Sequence, residues 1–412
     1  MSHNPFSIKP DMRQNGRQVM EIPELLTIIA HELNAKERRE LLSVSQCFFR
    51  SIGPMVWKRV PRLDLLLNVI TDTKIDFSVA GTEWPYSQFT EITTTLPLKP
   101  DLSRYYIYAP WVQELEIFGG YSQEVFYAGP FLNLLCGNPP LPNLRRLTAC
   151  TGADTRSRPM MNFFDMFMIP SLTEVRTIFN SKDHPTYTYP SLVAYFLDKV
   201  QKICPKIQVL ELYPRTNDFY LSRPFTLSDH SCSAIQSFSN LRSFTSTSCV
   251  LKPKPLGVLG SLPYLESLSI RGFGMEDRTI DEQLSIPGDQ FRRLVDLRLY
   301  GIHPQDINLL WGQPSLVKKL DFALIQTNPY IQLDDYWIES FLTALPNLSP
   351  NLRGLSFDTG NEIGMEYEIS EDALNALDGL QLHRLVLKDF KIRFGNSDGD
   401  EDWESETDDD EN

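Results

Sequence analysis

The sequence predicts an α/β chain: a short N-terminal three-helix module, then a long array of strand-loop-helix units, then an acidic C-terminal tail. Three observations predict it. Apolar residues between positions 20 and 67 recur at three- and four-residue steps, the period of one helix face. From position 105 onward a short word, Pro-x-apolar-x-x-apolar, keeps returning, and self-similarity at a period of about 20–50 residues marks stacked repeat units. Residues 396–412 hold ten carboxylates and no Lys or Arg. At 412 residues, 42% hydrophobic and 11% aromatic, the chain as a whole has the composition of a folded protein. The segments read as a flexible N-terminus (1–19), the helical module (20–67), a linker or first irregular repeat (68–104), the repeat array (105–395) and a disordered acidic tail (396–412).

The helical module opens at Ile22-Pro23, because proline fixes φ and suits the first turn of a helix. Leu25, Leu26, Ile29 and Leu33 then give one apolar face of about three turns. Asn34 with Glu37 three residues on is a capping-box start for a second helix, whose apolar positions Leu41, Leu42, Val44, Ser45 and Phe48 return at helical spacing. Gly53-Pro54 is read as a break, after which Met55, Val56, Trp57 and Val60 resume an apolar face. Three short helices cannot bury this many large apolar side chains against one another, so another surface must complete them.

In order, Ile22-Pro23, Glu24-Leu25-Leu26, Ile28-Ile29, Leu33, Val44-Ser45-Gln46-Cys47-Phe48 and Val56-Trp57 resemble the F-box family. Its pattern is a Leu-Pro opening, a Glu-Leu-Leu helix, an apolar pair, a downstream Leu, a Val-Ser-(Arg/Lys)-x-Phe signature and a Leu-Trp ending. Ile replaces the opening Leu, Ile replaces the Phe of the pair, and Gln46 stands where a basic residue is usual. The resemblance covers roughly a tenth of the chain. It implies docking onto the Skp-type adaptor of a cullin-RING (SCF) ubiquitin ligase. The implied adaptor-binding residues are Ile22, Pro23, Leu25, Leu26, Ile29, Leu33, Leu41, Val44, Ser45, Phe48 and Trp57. In the alternative, Ile22, Leu25, Leu26, Ile29 and Trp57 form the core of a helical cap on the domain that follows.

In the array, the fuller word is L-x-x-L-x-L: Val112-Leu115-Ile117, Ile207-Leu210-Leu212, Leu265-Leu268-Ile270, Leu294-Leu297-Leu299, Val317-Leu320-Phe322, Leu352-Leu355-Phe357 and Leu382-Leu385-Leu387. Degenerate copies start at Leu144, Leu172 and Leu241, and successive starts lie 23–35 residues apart. The string Asn-Leu-Arg begins at Asn143, Asn240 and Asn351. Helical spacing fills the intervals, as in 189–203, 334–345 and 370–380. Strand, loop, helix, loop, repeated about ten times, is the signature of an irregular leucine-rich-repeat solenoid. A Rossmann-like βαβ sheet competes, but no Gly-rich phosphate turn accompanies the strand words.

Period two along each strand turns the leucines inward and alternate positions toward a concave face. Those positions include Glu114 and Glu116 with Phe118, Arg146 with Cys150, Arg176 with Ile178, Glu211 with Tyr213, Arg271, Arg298 with Tyr300, and Lys319, Asp321 and Ala323. The candidates for holding a protein substrate are Glu116, Arg146, Arg176, Glu211, Tyr213, Arg271, Arg298, Tyr300 and Asp321, since Arg and Tyr concentrate energy in recognition surfaces. Taken singly, each reads better as a residue that solubilises the sheet; the concave face as a whole is where a protein substrate is expected.

Catalytic, metal and cofactor signatures are missing from the sequence. Ser228-Asp229-His230-Ser231 reads as a turn or helix cap, because a triad needs convergence that sequence neighbours cannot supply. The six cysteines include no C-x-x-C pair, so reduced thiols are expected. The net charge of −14 argues against a nucleic-acid partner, and no apolar run suits a signal peptide or membrane span. Without the tail, 43 acids face 39 bases. The expectation is a cytosolic or nuclear substrate receptor of an SCF-type ligase, without cofactor or active site. The rivals are a leucine-rich-repeat scaffold whose acidic tail engages a basic protein, and an enzyme with no visible constellation. Ser397, Ser405 and Thr407 each have an acid three residues on, a context resembling acidophilic kinase substrates.

Overall fold

The computed structural model describes residues 22–81, 88–117, 121–149, 157–177, 185, 187–215, 225–272, 278–280, 284–360 and 366–393. The expectations for 1–19, for the tail at 396–412 and for Phe118, Cys150 and Ile178 lie outside these residues. The chain divides into two compact units, Met1–Ser246 and Thr247–Asn412.

The first unit opens with three helices. Helix α1, Pro23–Glu32, starts with proline at its first turn, where the missing N–H costs nothing. Helix α2, Ala35–Leu41, carries the full capping box: Asn34 Oδ1 accepts the N–H groups of Lys36 (2.9 Å) and Glu37 (3.1 Å), and Glu37 Oε2 accepts that of Asn34 (2.9 Å). The second helix does not run on to Phe48. It ends at Leu41, and after a turn Ser45 caps helix α3, Gln46–Val56, its Oγ accepting the Phe48 N–H at 3.2 Å. Apolar spacing continues across the turn, so periodicity alone joins the two helices, whereas a serine hydroxyl that competes for backbone N–H groups separates them. Nor does Gly53-Pro54 break α3, which continues to Val56.

Segment 68–104 is not a linker. Lys74–Gly81 and Gln88–Thr95 pair antiparallel, and the second of these strands pairs in parallel with Tyr121–Phe126. The Thr- and Ile-rich run Thr90 to Thr95 is the strand signal, since β-branched side chains suit a pleated surface.

The rest of each unit is a ladder of parallel strands laid side by side in chain order. In the first unit these are Arg59–Val60, Glu114–Ile117, Arg146–Ala149, Glu174–Arg176, Val209–Glu211 and Ser243–Thr247. In the second they are Ser267–Arg271, Asp296–Ile302, Phe322–Thr327, Gly354–Asp358 and Arg384–Lys388. Helices such as Pro190–Ile203, Pro304–Trp311 and Asp335–Leu348 fill the connections, as parallel pairing requires. In six of these strands a leucine, at position 115, 147, 210, 268, 297 or 355, is fully buried. Burial of such a side chain contributes about 2 kcal/mol before entropy is counted.

Two hydrogen-bond devices recur at the strand entrances. A single carbonyl accepts two successive N–H groups from the next strand: Gln113 from Arg145 and Arg146, Arg145 from Thr173 and Glu174, Val295 from Asp321 and Phe322, Asp321 from Arg353 and Gly354. The Asn-Leu-Arg strings supply the second device. Asn143 Nδ2 donates to the Pro110 carbonyl (2.7 Å), Asn240 to Pro205 (3.2 Å) and Asn351 to Lys318 (2.8 Å), each one unit back.

The word Val317-Leu320-Phe322 is out of register. Phe322 pairs with Asp296, Ala323 with Leu297 and Ile325 with Leu299, so the inward residues of this strand are Ala323 and Ile325. Lys319 and Asp321 therefore precede the strand, and Ala323 points into the core rather than toward the open face. Phe322 is half-exposed, accommodated where Gly354 leaves room: a Cβ there would lie 2.7 Å from the Phe322 ring.

Candidate protein-interaction surfaces

Helix α1 divides its apolar residues between two directions. Leu26 and Ala30 are fully buried, and Leu33 is half-buried. Ile22, Leu25, Ile28 and Ile29 are exposed, Ile28 at 60%. At about 100° per residue these four fall within one arc of roughly 120°, beside the buried arc of Leu26 and Ala30. One half of the apolar face thus closes the module, and the other half has no cover among the described residues.

Helix α3 fastens the module to the chain that follows it. The Phe49 ring lies 5.9 Å from Tyr108 and 5.3 Å from Trp111, and Trp57 packs at a tilt 4.5 Å from Tyr108. Contact is so close at Gly53 that a Cβ would lie 2.6 Å from Trp111. Four of the residues assigned to adaptor binding therefore have structural work. Leu26 is core, Trp57 belongs to this aromatic cluster, Ser45 is a helix cap, and Phe48 is half-buried in α3. Val44, 63% exposed, lies in the turn between α2 and α3, Leu41 is half-buried, and Pro23 is exposed at the start of α1.

On the first unit's ladder the charged candidates meet one another. Arg59 binds Glu116; Arg146 sits between Glu114 (3.2 Å) and Glu174 (2.7 Å); Arg176 bridges Glu174 (3.0 Å) and Glu211 (3.3 Å). Glu211 also accepts the Thr177 N–H at 2.8 Å. The signs alternate across neighbouring strands, so each charge is neutralised by the next. Burial pushes the Glu174 carboxyl up, but the guanidinium hydrogen bonds of Arg146 and Arg176 outweigh it and leave it below the ordinary glutamate value. Donating to Glu174 holds Arg146 above its ordinary value. Glu116, Arg146, Arg176 and Glu211 are thus brought together, as a row that stitches the sheet. Tyr213 is 1% exposed, in a two-stranded parallel pair with Tyr187–Thr188, and offers no surface.

In the second unit the strands alternate buried and half-exposed residues, leaving one open face. Arg271 stacks 4.3 Å above the Tyr300 ring. Arg298 bonds Asp296 through Nε (3.0 Å) and its terminal nitrogen (2.9 Å) and lies 5.3 Å over Phe322. These contacts hold both arginines against half-exposed aromatic rings. Phe322, Leu324 and Gln326 join this face in place of Lys319 and Asp321, a substitution hidden from the sequence by the register shift. Asp321 instead lines a cleft of about 650 Å³ with Lys319, Asn351 and Arg353, pairing with Arg353 at 3.6 Å.

Ser228 caps the helix Asp229–Gln236, its Oγ accepting the Ser231 N–H at 3.1 Å. Among the described residues no group of three His, Cys, Asp or Glu could hold a metal ion, and no helix is long and apolar enough to cross a membrane. The Cys204 thiol is pushed up to about 12 by burial.

No family model matches the sequence, and no curated protein matches it. Among solved structures, a Bacteroides fragilis protein is similar at a TM-score of 0.36 and 14% identity over 64% of this chain and 70% of its own. TLR13, in complex with ssRNA13, is similar at 0.25 and 12% identity over 71% of this chain, which spans about half of it, 51%. Likeness this distant defines neither fold nor role.

Proposed function

We propose that this protein is a substrate receptor of an SCF-type ubiquitin ligase, with the helical module as an F-box that docks a Skp-type adaptor and the strand ladder as a leucine-rich-repeat solenoid that binds a protein substrate. The observation that carries the reading is the divided face of α1. A helix that already has its core partners, Leu26 and Ala30, still presents Ile22, Leu25, Ile28 and Ile29 to solvent. Contiguous apolar surface on a small module marks an interface. It lies on the helix whose sequence carries the F-box resemblance. The substrate would meet the open face of the second unit, where Arg271 with Tyr300 and Arg298 with Phe322 combine cation and ring. Ubiquitin transfer would then occur by proximity, the receptor raising the local concentration of substrate lysines while contributing no catalytic group, in cytosol or nucleus.

Coexpression with a Skp-type adaptor, followed by size-exclusion chromatography, tests the docking half. A 1:1 complex is expected with the full chain and none with Leu25→Asp/Ile29→Asp, whose side chains lie outside the core.

A further inference from the structure

Strand Lys74–Gly81 is the outer strand of the first unit's three-stranded sheet: it pairs with Gln88–Thr95 on one side and with no strand on the other among the described residues. Its eight residues hold an unbroken antiparallel register, so no bulge twists the edge away, and it contains no proline. Ile75, Phe77 and Val79 share one face with their partners Thr94, Ile92 and Thr90 on the next strand. Helix Leu63–Leu67 packs against that inner strand, where Ile92 is 1% exposed and Thr94 is fully buried. The cover stops one strand short of the edge: Phe77 is 59% exposed and Val79 69%. Arg62, held to Asp64 at 2.8 and 3.1 Å, lies 5.7 Å from the Phe77 ring centre and shields only part of it. A regular edge that carries large apolar side chains recruits another strand unless charge, proline or a bulge blunts it. Here a single lysine, Lys74, stands at the strand's start.

The strand's own pattern selects a second copy as the occupant. Ile75 and Val79, both β-branched, stand two residues to either side of Phe77, so the apolar stripe reads alike in both directions. An isologous interface requires such self-complementarity. Antiparallel pairing about Phe77 sets Phe77 opposite Phe77, Ile75 opposite Val79, Asp76 opposite Ser78 and Lys74 opposite Ala80, with no like charges directly opposed. A slip by one residue turns the two stripes to opposite faces, and a slip by two toward the strand's start opposes the two Asp76 carboxylates, so the pattern specifies the register. The geometry points to a two-fold dimer of this chain in which the Lys74–Gly81 edges pair antiparallel about Phe77, joining two three-stranded sheets into one. A contact this narrow buries less than the roughly 1,600 Å² of a standard interface, so association is weak and depends on protein concentration.

Sedimentation equilibrium of the full chain over about a hundredfold range of concentration tests this. The parent should dimerise. Phe77→Lys and Phe77→Glu, each at an exposed side chain, should weaken dimerisation by about tenfold at unchanged melting temperature, because each sets like charges opposite one another across the two-fold axis. An equimolar mixture of these two variants should associate about tenfold more tightly than either alone, since the replaced side chains then carry opposite charges. Leu25→Asp/Ile29→Asp should dimerise as the parent does. A parent that stays monomeric across the range overturns the proposal, as does a mixture no tighter than its components. Dimerisation lost in Leu25→Asp/Ile29→Asp also overturns it, by assigning the contact to α1.

Discussion

At the scale of single residues, neighbours in sequence do opposite work. Leu25 and Leu26 are chemically identical, yet one is exposed and the other is fully buried. Leu26→Ala should cost about 2–5 kcal/mol of stability in chemical denaturation, and Leu25→Ala a few tenths, since only the first leaves a cavity. Gly53 makes a related prediction: Gly53→Val should lower the melting temperature by several degrees, because its side chain must displace a Trp111 ring held by Phe49 and Tyr108. Thiol reactivity should follow burial. An alkylating reagent at pH 8 should label exposed Cys136 well before Cys204, whose thiol burial holds at about 12. The Glu174 carboxyl, held below its ordinary value, contributes stability that is complete above the unfolded-state value near 4.5 and is lost as pH falls through the folded one. Glu174→Gln should therefore be less stable than the parent at pH 7, with the gap closing in acid; a pH-independent gap would remove the carboxylate from the explanation.

At the scale of elements, much of the ladder is legible because a buried strand face imposes period two on large apolar residues. Leu115, Leu147, Leu210, Leu268, Leu297 and Leu355 all stand where that pattern places them. It fails where an inward residue is small and an outward one large. Ala323 carries too little hydrophobicity to compete in the pattern with Phe322, so the word slips and takes Asp321 with it. The helix junction is misread for a comparable reason: Leu41 and Phe48 keep helical spacing across a turn whose only sign is Ser45. The charged candidates Glu116, Arg146, Arg176 and Glu211 were visible as residues but not as partners, because Arg146 and Arg176 meet through Glu174, and Arg176 meets Glu211, only once the strands are side by side. The Asn-Leu-Arg string was legible as a repeat, and its purpose emerges in the bond to the preceding unit. Replacing Asn143 or Asn351 by Ala should each cost about 1 kcal/mol in urea denaturation, with Leu, which fills the space without the donor, costing as much.

At the scale of the molecule, charge and hydrophobicity are segregated along the chain. The −14 formal charge is concentrated in a tail of ten carboxylates, so the folded segments are close to neutral and their surfaces are distinguished by apolar and aromatic groups. Among them are the exposed outer half of α1 and, on the open face of the second unit's ladder, half-exposed rings held against arginines. An adaptor on the first and a substrate on the second would give the chain the two attachments a receptor needs. Arg271→Ala/Arg298→Ala should accordingly abolish substrate capture while leaving adaptor binding within twofold, measured on one preparation. The most direct test of the central claim is the affinity of the purified full chain for a Skp-type adaptor by calorimetry. Submicromolar binding that falls at least 100-fold in Leu25→Asp/Ile29→Asp, at unchanged melting temperature, is the predicted result. No binding by the parent chain, or equal binding by the variant, would contradict it.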